Sequence, residues 1–344
     1  MRYLGNKTRL LGFIDSVIAK YDIQGETFAD LFAGTGSVGD HFKDRYQIIA
    51  NDLMYYSVVL AKAKLLNGKI PDFSNFKRKY QMSPFAYFNQ ACFTPAAEYF
   101  IYHNYTPVGN RKYFIEQNAI RIDGIRLMLE RLKTRHFWTE AEYYYLLASL
   151  LESVTKVSNT SGSFGAYFKF WERRSTKPFV LKPLAMKECD LHSQQNVILQ
   201  GDINRQVKHL SGDIVYLDPP YTTKQYASAY HLLETIARYD YPLIAGKTGT
   251  RPHQKERSAY SSRRTVKTAF QNLLSNLHFT HVLISYSNQA ILPLSDLIDL
   301  IKPFALKRQV FVEKTPYREY RTVNTSHKQK EKSLEETIIY FKHK

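Results

Sequence analysis

The stretch from Phe28 to Leu66 leaves little choice of fold, because strand and helix patterns alternate along it. Phe28-Ala29-Asp30-Leu31-Phe32 reads as a short buried strand, Ala33-Gly34-Thr35-Gly36 as a tight glycine turn, and Ser37 onward as the start of a helix. A second strand, Gln47 to Ala50, ends in Asn51-Asp52 and is followed by an Ala- and Leu-rich helix to about Leu66. A βαβα run of this kind builds a parallel sheet covered by helices. Glycines in the first turn let the backbone pass close to a ligand, and Asp52, at the end of the next strand, can accept both hydroxyls of a ribose. Only two glycines of the three-glycine dinucleotide fingerprint are present, and nothing else in the chain points to redox chemistry. A nucleoside cofactor fits these features better than a dinucleotide.

A second constraint is Asp213-Ile214-Val215-Tyr216-Leu217-Asp218-Pro219-Pro220-Tyr221, an apolar, β-branched and aromatic run that stops at a carboxylate, two prolines and a ring. It reads as a buried strand delivering Asp218-Pro219-Pro220-Tyr221 to a sheet edge. In open α/β sheets ligands bind beyond the carboxyl ends of the strands. Prolines stiffen the turn and leave carbonyl groups without a local N–H partner. A rigid carboxylate, an open carbonyl and a ring face suit a planar amine substrate.

The remaining chain completes the sheet in pieces. Lys7 to Lys20 places Leu10, Leu11, Ile14, Val17 and Ile18 at helical spacing. Val197 to Gln200 reads as a strand ending at Gly201-Asp202; His281 to Tyr286, Arg308 to Glu313 and Thr337 to Phe341 read as later strands. Helical patterns cover Tyr230 to Tyr239, Thr265 to Leu277 and Leu294 to Ile301. Between Asn67 and about Asp190 the texture changes to Lys, Arg, Tyr, Phe and Asn without strand–helix alternation, apart from a helix from Glu140 to about Lys156 opened by the capping-box spacing Thr139-Glu140-Ala141-Glu142. The expected architecture is therefore an α/β, doubly wound, mostly parallel sheet over residues 1–67 and 191–344, interrupted by a mostly helical module over 68–190.

Composition points to the partner. The 344 residues carry 48 Lys plus Arg against 31 Asp plus Glu, a formal charge of +17, which favours a polyanion such as nucleic acid. Basic tracts at Lys77 to Lys79, Arg111-Lys112, Arg251 to Arg264, which includes Arg263, and Lys328 to Lys332 fit phosphate contacts. Two cysteines, Cys92 and Cys189, give neither a disulfide framework nor paired metal-ligand spacing, so no metal is expected. No apolar run approaches a membrane span and no signal segment opens the chain, so the expected setting is the cytoplasm, with no membrane partner.

Taken together, these motifs resemble the Dam-like N6-adenine family of S-adenosylmethionine-dependent DNA methyltransferases, over nearly the whole chain. Tyr3-Leu4-Gly5-Asn6-Lys7 is similar to the family's amino-terminal cofactor motif, Phe28 to Val38 to its glycine loop, Asn51-Asp52 to its ribose-binding acid and Gly201-Asp202 to the acidic strand end before the catalytic motif. Ala229-Tyr230-His231 and Ile284 to Asn288 also look like family features. The order of glycine loop, insertion and catalytic motif is that of the alpha arrangement, in which the insertion carries target recognition.

The resemblance implies a Rossmann-like methyltransferase domain that binds S-adenosylmethionine through Tyr3, Asn6, Lys7, Asp30, Phe32, Gly34, Gly36, Asp52 and Asp202. Within that set, Asp30 would face the cofactor amino group and Asp202 its adenine amine. Asn159 to Lys169 would form a hairpin that reads bases or supports the flipped site, with Asn159 and Lys169 as contacts; separately, the position of Lys224-Gln225-Tyr226 just after the catalytic turn suits filling or flanking the space left by the extruded base. The implied partners are double-stranded DNA and, in a restriction-modification system, a restriction endonuclease acting on the same site.

The chemistry of the turn agrees. Adenine's exocyclic amine is a poor nucleophile because its lone pair is delocalised into the ring. Hydrogen bonds from the amine to the Asp218 carboxylate and the Pro219 carbonyl favour a pyramidal nitrogen whose lone pair points at the methyl donor. Tyr221 would stack on a base flipped out of the duplex. Neither Cys92 nor Cys189 lies beside a cofactor motif, which argues against covalent carbon-5 cytosine chemistry. N4-cytosine methylation uses the same amine geometry, although Asp rather than Ser at position 218 favours adenine. A DNA-binding relative without catalysis is the other alternative.

Overall fold

In the computed structural model, residues 7–191, 195–317 and 334–344 are described. Tyr3 and Asn6, and the basic tract Lys328 to Lys332, lie outside them. The chain divides into two compact units: a sheet unit of Lys7–Leu53, His192–Gln225 and Glu256–Lys344, and a helical unit that includes Met54–Leu191 and Tyr226–Lys255.

The sheet unit is built on seven strands: β1 (Thr27–Asp30), β2 (Gln47–Asp52), β3 (Val197–Gln200), β4 (Ser211–Leu217), β5 (His278–Ser287), β6 (Phe311–Tyr317) and β7 (Leu334–Lys342). Their order is β3-β2-β1-β4-β5-β7-β6. The first five are mutually parallel and β7 runs antiparallel to both β5 and β6. Because the chain leaves β1 first toward β2 and later returns to its other side as β4, the order reverses between β1 and β4. Such a switch point opens a crevice beyond the carboxyl ends of these strands.

Alternation decides which side chains face which helices. Ala29, Leu31, Val215, Leu217, Val282, Ile284, Ile339 and Phe341 pack in one core with the helices Val266–Ser275 and Leu294–Ile301, whose buried residues include Phe270, Leu273, Leu297 and Ile301. On the opposite face Phe28 stacks on Phe42 of the helix Ser37–Phe42 with ring centroids 4.5 Å apart, while the helix Leu11–Lys20 buries Ile14, Val17 and Ile18. Asp213 fixes the register where β4 enters the sheet: its Oδ2 accepts from the Glu26 and Thr27 amides at 2.8 and 3.0 Å and from the Thr27 hydroxyl at 3.0 Å. With that end pinned, Asp30 pairs opposite Tyr216, and β1 and β4 deliver their ends to the same edge.

The helical unit has its own aromatic-rich core. Its two longest helices are Glu116–Thr134 and Glu140–Val157, the second closed at its start by the capping box expected at Thr139 and Glu142. Shorter helices, Ser74–Tyr80, Pro84–Gln90 and Phe100–Tyr105, complete the stretch that lacked a clear pattern. They are held by side chains rather than by propensity: Phe76 is fully buried and Trp138 stacks on it at 4.9 Å.

The bounds of this unit differ from the expected 68–190 in two places. The helix Tyr55–Leu65 and the segment Tyr226–Lys255 both belong to it, because Tyr56, Val59, Leu60, Tyr230, Leu232, Leu233 and Ile236 are buried in its core. Glu234 joins them by accepting from the Tyr55 and Tyr56 amides at 3.1 and 2.9 Å. Among the described residues, no helix is long and apolar enough to cross a membrane.

Candidate active site

Residues from both sides of the switch point meet at the edge of the sheet unit. After β1 the chain turns through Gly34 and Gly36, both left-handed at φ 53° and 66°, a conformation that costs glycine little. The Ala33 amide donates to the Asn51 carbonyl at 2.9 Å and the Gly34 amide to Asp52 Oδ2 at 2.8 Å, so the expected ribose acid is oriented by the glycine turn itself. Asn51 adds a brace: its amide donates to the Leu31 and Gly201 carbonyls, each at 3.2 Å. Phe32 lies half-buried beside this turn, edge-on to Tyr260 at 5.2 Å.

Asp30 is buried at 1% exposure, and neither carboxyl oxygen has a hydrogen-bond partner within the described chain. Burial, reinforced by the charges of Asp218 and Asp52, pushes its carboxyl up to about 8; the Gly39 and Phe32 amides ease that cost without reaching bonding geometry. A buried carboxyl without a partner is costly and calls for a cationic or donor ligand. Asp202 is placed differently. Half-exposed, it caps the short helix Ile203–Gln206 by accepting from the Asn204 amide at 3.1 Å.

At the end of β4, the Asp218 side chain is 13% exposed, Pro219 is buried, and Pro220 and Tyr221 are half-buried. The Tyr221 carbonyl accepts from the Ile291 amide at 2.9 Å, which fixes the far side of the turn. Lys7, expected at the cofactor, reaches this turn. It is 4% exposed; its Nζ lies 3.2 Å from Asp218 Oδ1, 3.3 Å from Glu336 Oε2 and 5.5 Å from the Tyr221 ring centroid. Burial opposes the Lys7 charge, but Asp218 and Glu336 together with Tyr216 hold its pKa above the ordinary lysine value. Burial pushes the Asp218 carboxyl up to about 6; Lys7 pulls it down and Glu336 pushes it up again. The carboxylate is therefore ionised at neutral pH, poised to accept hydrogen bonds from a neutral donor.

Glu336 was not expected from the sequence. It is 5% exposed at the beginning of β7, opposite Ser287 of β5; burial pushes its carboxyl up, while Lys7 and the Tyr221 hydroxyl pull it back. The available signal was a pair of acids, Glu335-Glu336, directly before the apolar run Thr337 to Phe341, one of which period-two alternation must turn inward.

The expected DNA contacts separate into exposed and structural residues. Lys224 and Arg263 are exposed, and their loops are joined by Gln225, whose side-chain amide pairs with the Ser258 backbone at 2.9 and 3.2 Å. Tyr226 is half-buried and begins the short helix Tyr226–Ala229. In the helical unit Lys169 is exposed, beside the stacked rings of Phe168 and Phe170 at 5.3 Å.

Asn159 is corrected: it is fully buried, its amide donates to the Lys112, Phe168 and Phe170 carbonyls and its Oδ1 accepts from the Glu172 amide and the Ser175 hydroxyl. With its side chain committed in this way it organises the loop and presents nothing to DNA. That loop contains no strand, so the expected hairpin at Asn159 to Lys169 is a pinned coil. Two basic residues are likewise structural. Arg251 pairs with both oxygens of Asp240 at 3.0 and 2.7 Å, and Arg111 donates to the Asn104, Gly109 and Gly246 carbonyls.

A mostly parallel sheet with a carboxylate-lined crevice at its switch point defines a Rossmann-like α/β protein. More narrowly, the chain belongs to the D12 class N6 adenine-specific DNA methyltransferase family, which it matches over residues 3–289. It is 54% identical over 99% of its length to the modification methylase LlaI of Lactococcus lactis subsp. lactis, and 41% identical over 99% to the type II methyltransferase M.FokI of Planomicrobium okeanokoites. The chain spans about half the length of these two relatives, 55% and 52% respectively. The type II methyltransferase M.NlaIII of Neisseria lactamica is 34% identical over 95% of this chain and 96% of its own length.

Proposed function

We propose that this chain transfers a methyl group from S-adenosylmethionine to the N6 amine of an adenine flipped out of double-stranded DNA, at a specific sequence, as the modification enzyme of a restriction-modification system. The observation that carries the reading is the largely buried Asp218 side chain at the end of β4, 3.2 Å from Lys7 Nζ and followed by Pro219, Pro220 and Tyr221, at the edge that also holds the glycine turn. Membership of an adenine-specific family favours adenine over N4-cytosine. The relatives' names as modification methylases support the restriction-modification setting, with a restriction endonuclease of the same site as partner.

The residues present fit the methyl donor. Asp30, a buried carboxyl without a hydrogen-bond partner among the described residues, suits the ammonium of the donor's methionine end; Asp52, turned by the Gly34 amide, suits the ribose; Phe32 offers an apolar flank. When bound, S-adenosylmethionine supplies a methyl on a positively charged sulfur. Asp218 and the Pro219 carbonyl accept the two amine hydrogens of adenine, which raises electron density on nitrogen and fixes its direction. Tyr221 provides the face on which the extruded base stacks. Once the methyl has passed to nitrogen and the sulfur has left as a neutral thioether, the amine loses one proton, for which the Asp218 carboxylate is an available acceptor.

Target recognition is assigned to the helical unit, including Tyr226–Lys255, and backbone contacts to the exposed Lys169, Lys224 and Arg263. Transfer of labelled methyl to plasmid DNA tests the reading. Label in N6-methyladenine is the expected product; label in N4-methylcytosine, or none with a folded protein, contradicts it.

A further inference from the structure

Four acids, Asp30, Asp52, Asp218 and Glu336, stand at one edge of the sheet unit, and Lys7 lies between two of them. Three have a place in the reading above; Glu336 has none. Its position follows from topology. Since β7 runs antiparallel to β5, its first residues, not its last, reach the edge where β1, β4 and β5 end. Glu336 pairs opposite Ser287, and alternation sets it on the same face as Ile338 and Tyr340, the face that Asp30 and Tyr216 share. There Lys7 Nζ is almost equidistant from the two carboxylates, 3.2 Å from Asp218 and 3.3 Å from Glu336.

An undivided buried ion pair would commit Asp218 to Lys7 and blunt it as an acceptor. Dividing the ammonium between two acids leaves Asp218 Oδ1 with an ion-pair partner but no well-aligned hydrogen bond. On these grounds we infer that Glu336 is a positioning residue of the methyl transfer: it draws Lys7 partly away from Asp218. The inference rests on the function proposed above. Among the described residues, the charged and titratable groups acting on Asp218 are Lys7, Glu336, Asp30 and Tyr216, and those acting on Glu336 are Lys7 and Tyr221.

Glu336→Gln keeps the shape while removing the charge. Lys7 then pairs with Asp218 alone. Two changes are expected in steady-state methylation of plasmid DNA followed against pH. The plateau kcat falls about tenfold, and the acid limb governed by Asp218 moves to lower pH, because the negative neighbour that raises its pKa is gone. KM for DNA is expected to stay within about twofold, since Asp218 and Tyr221 remain. Glu336→Asp, which keeps the charge on a shorter stem, is expected to restore the position of the acid limb.

A Glu336→Gln protein with reduced thermal stability but an acid limb at the wild-type pH would overturn the inference and leave Glu336 a structural acid. Should Glu336→Gln not fold, Glu336→Asp carries the test through its plateau rate: an unchanged rate would overturn the inference, and a fall with the limb in place would support it. Failure of the wild-type protein to methylate adenine would count against the proposed function instead, so the two outcomes are distinguishable.

Discussion

Asp218 and Asp30 are both buried carboxyls, yet their surroundings give them opposite tasks. Lys7 keeps Asp218 at about 6, so activity is expected to be flat near neutrality and to fall as pH drops through 6, where protonation removes the acceptor. Asp218→Asn retains the shape but loses the charge; methyl transfer should fall at least about a hundredfold in single-turnover assays, while DNA binding in a filter assay is retained.

Asp30 lacks such a cation and rises to about 8. In the folded state it holds its proton to higher pH than in the unfolded chain, so it costs stability increasingly as pH climbs from the ordinary carboxylate range toward 8. Asp30→Asn should therefore raise the melting temperature of the ligand-free protein at pH 8 and weaken S-adenosylmethionine binding in calorimetry. Wild-type binding should release protons below pH 8 as the ligand ammonium ionises this carboxyl. At this scale the sequence located what is local: the turn at Gly34 and Gly36 and the strand ends that carry Asp52 and Asp218. It was silent on Glu336, whose partners Lys7 and Tyr221 are joined to it only by the sheet.

Among the elements, β1 and β4 were legible because parallel strands buried on both faces are nearly continuous apolar runs, and β3, a partly exposed edge strand, from its short apolar run Val197-Ile198-Leu199. The last hairpin was less so: β6 begins at Phe311 and extends through the charged and Pro-containing Glu313 to Tyr317, beyond the expected Arg308 to Glu313. The short helices of residues 74–105 carry weak periodicity over six or seven residues each, and packing of aromatic side chains, not local preference, forms them.

Asn159 illustrates the same limit. A polar residue in a small-residue loop looks like a contact, and only the fold reveals the carbonyls that enclose it. Asn159→Ala should lower unfolding stability by roughly 2–4 kcal/mol in urea titration, because it leaves buried backbone groups without partners. Lys169→Ala, on an exposed side chain, should leave stability unchanged and weaken DNA binding.

For the whole molecule, the charge of +17 is a property of both units, but it is not uniformly available to a partner. Arg251 is spent on Asp240 and Arg111 on backbone carbonyls, whereas Lys169, Lys224 and Arg263 remain exposed. DNA affinity should fall steeply and log-linearly with salt, and each of Lys169→Ala, Lys224→Ala and Arg263→Ala should lower the slope by about one while Arg251→Ala acts on stability. Composition predicted a polyanion partner but not which cations serve it, since that division depends on which carboxylates and carbonyls the fold brings near.

The central claim, that the Asp218 turn holds an adenine amine for methyl transfer, is tested most directly by incubating the protein with DNA and methyl-labelled S-adenosylmethionine and digesting the product to nucleosides. Label confined to N6-methyladenine with the wild-type protein, and abolished by Asp218→Asn, is the predicted result. Label in another base, or undiminished label with Asp218→Asn, would contradict the account.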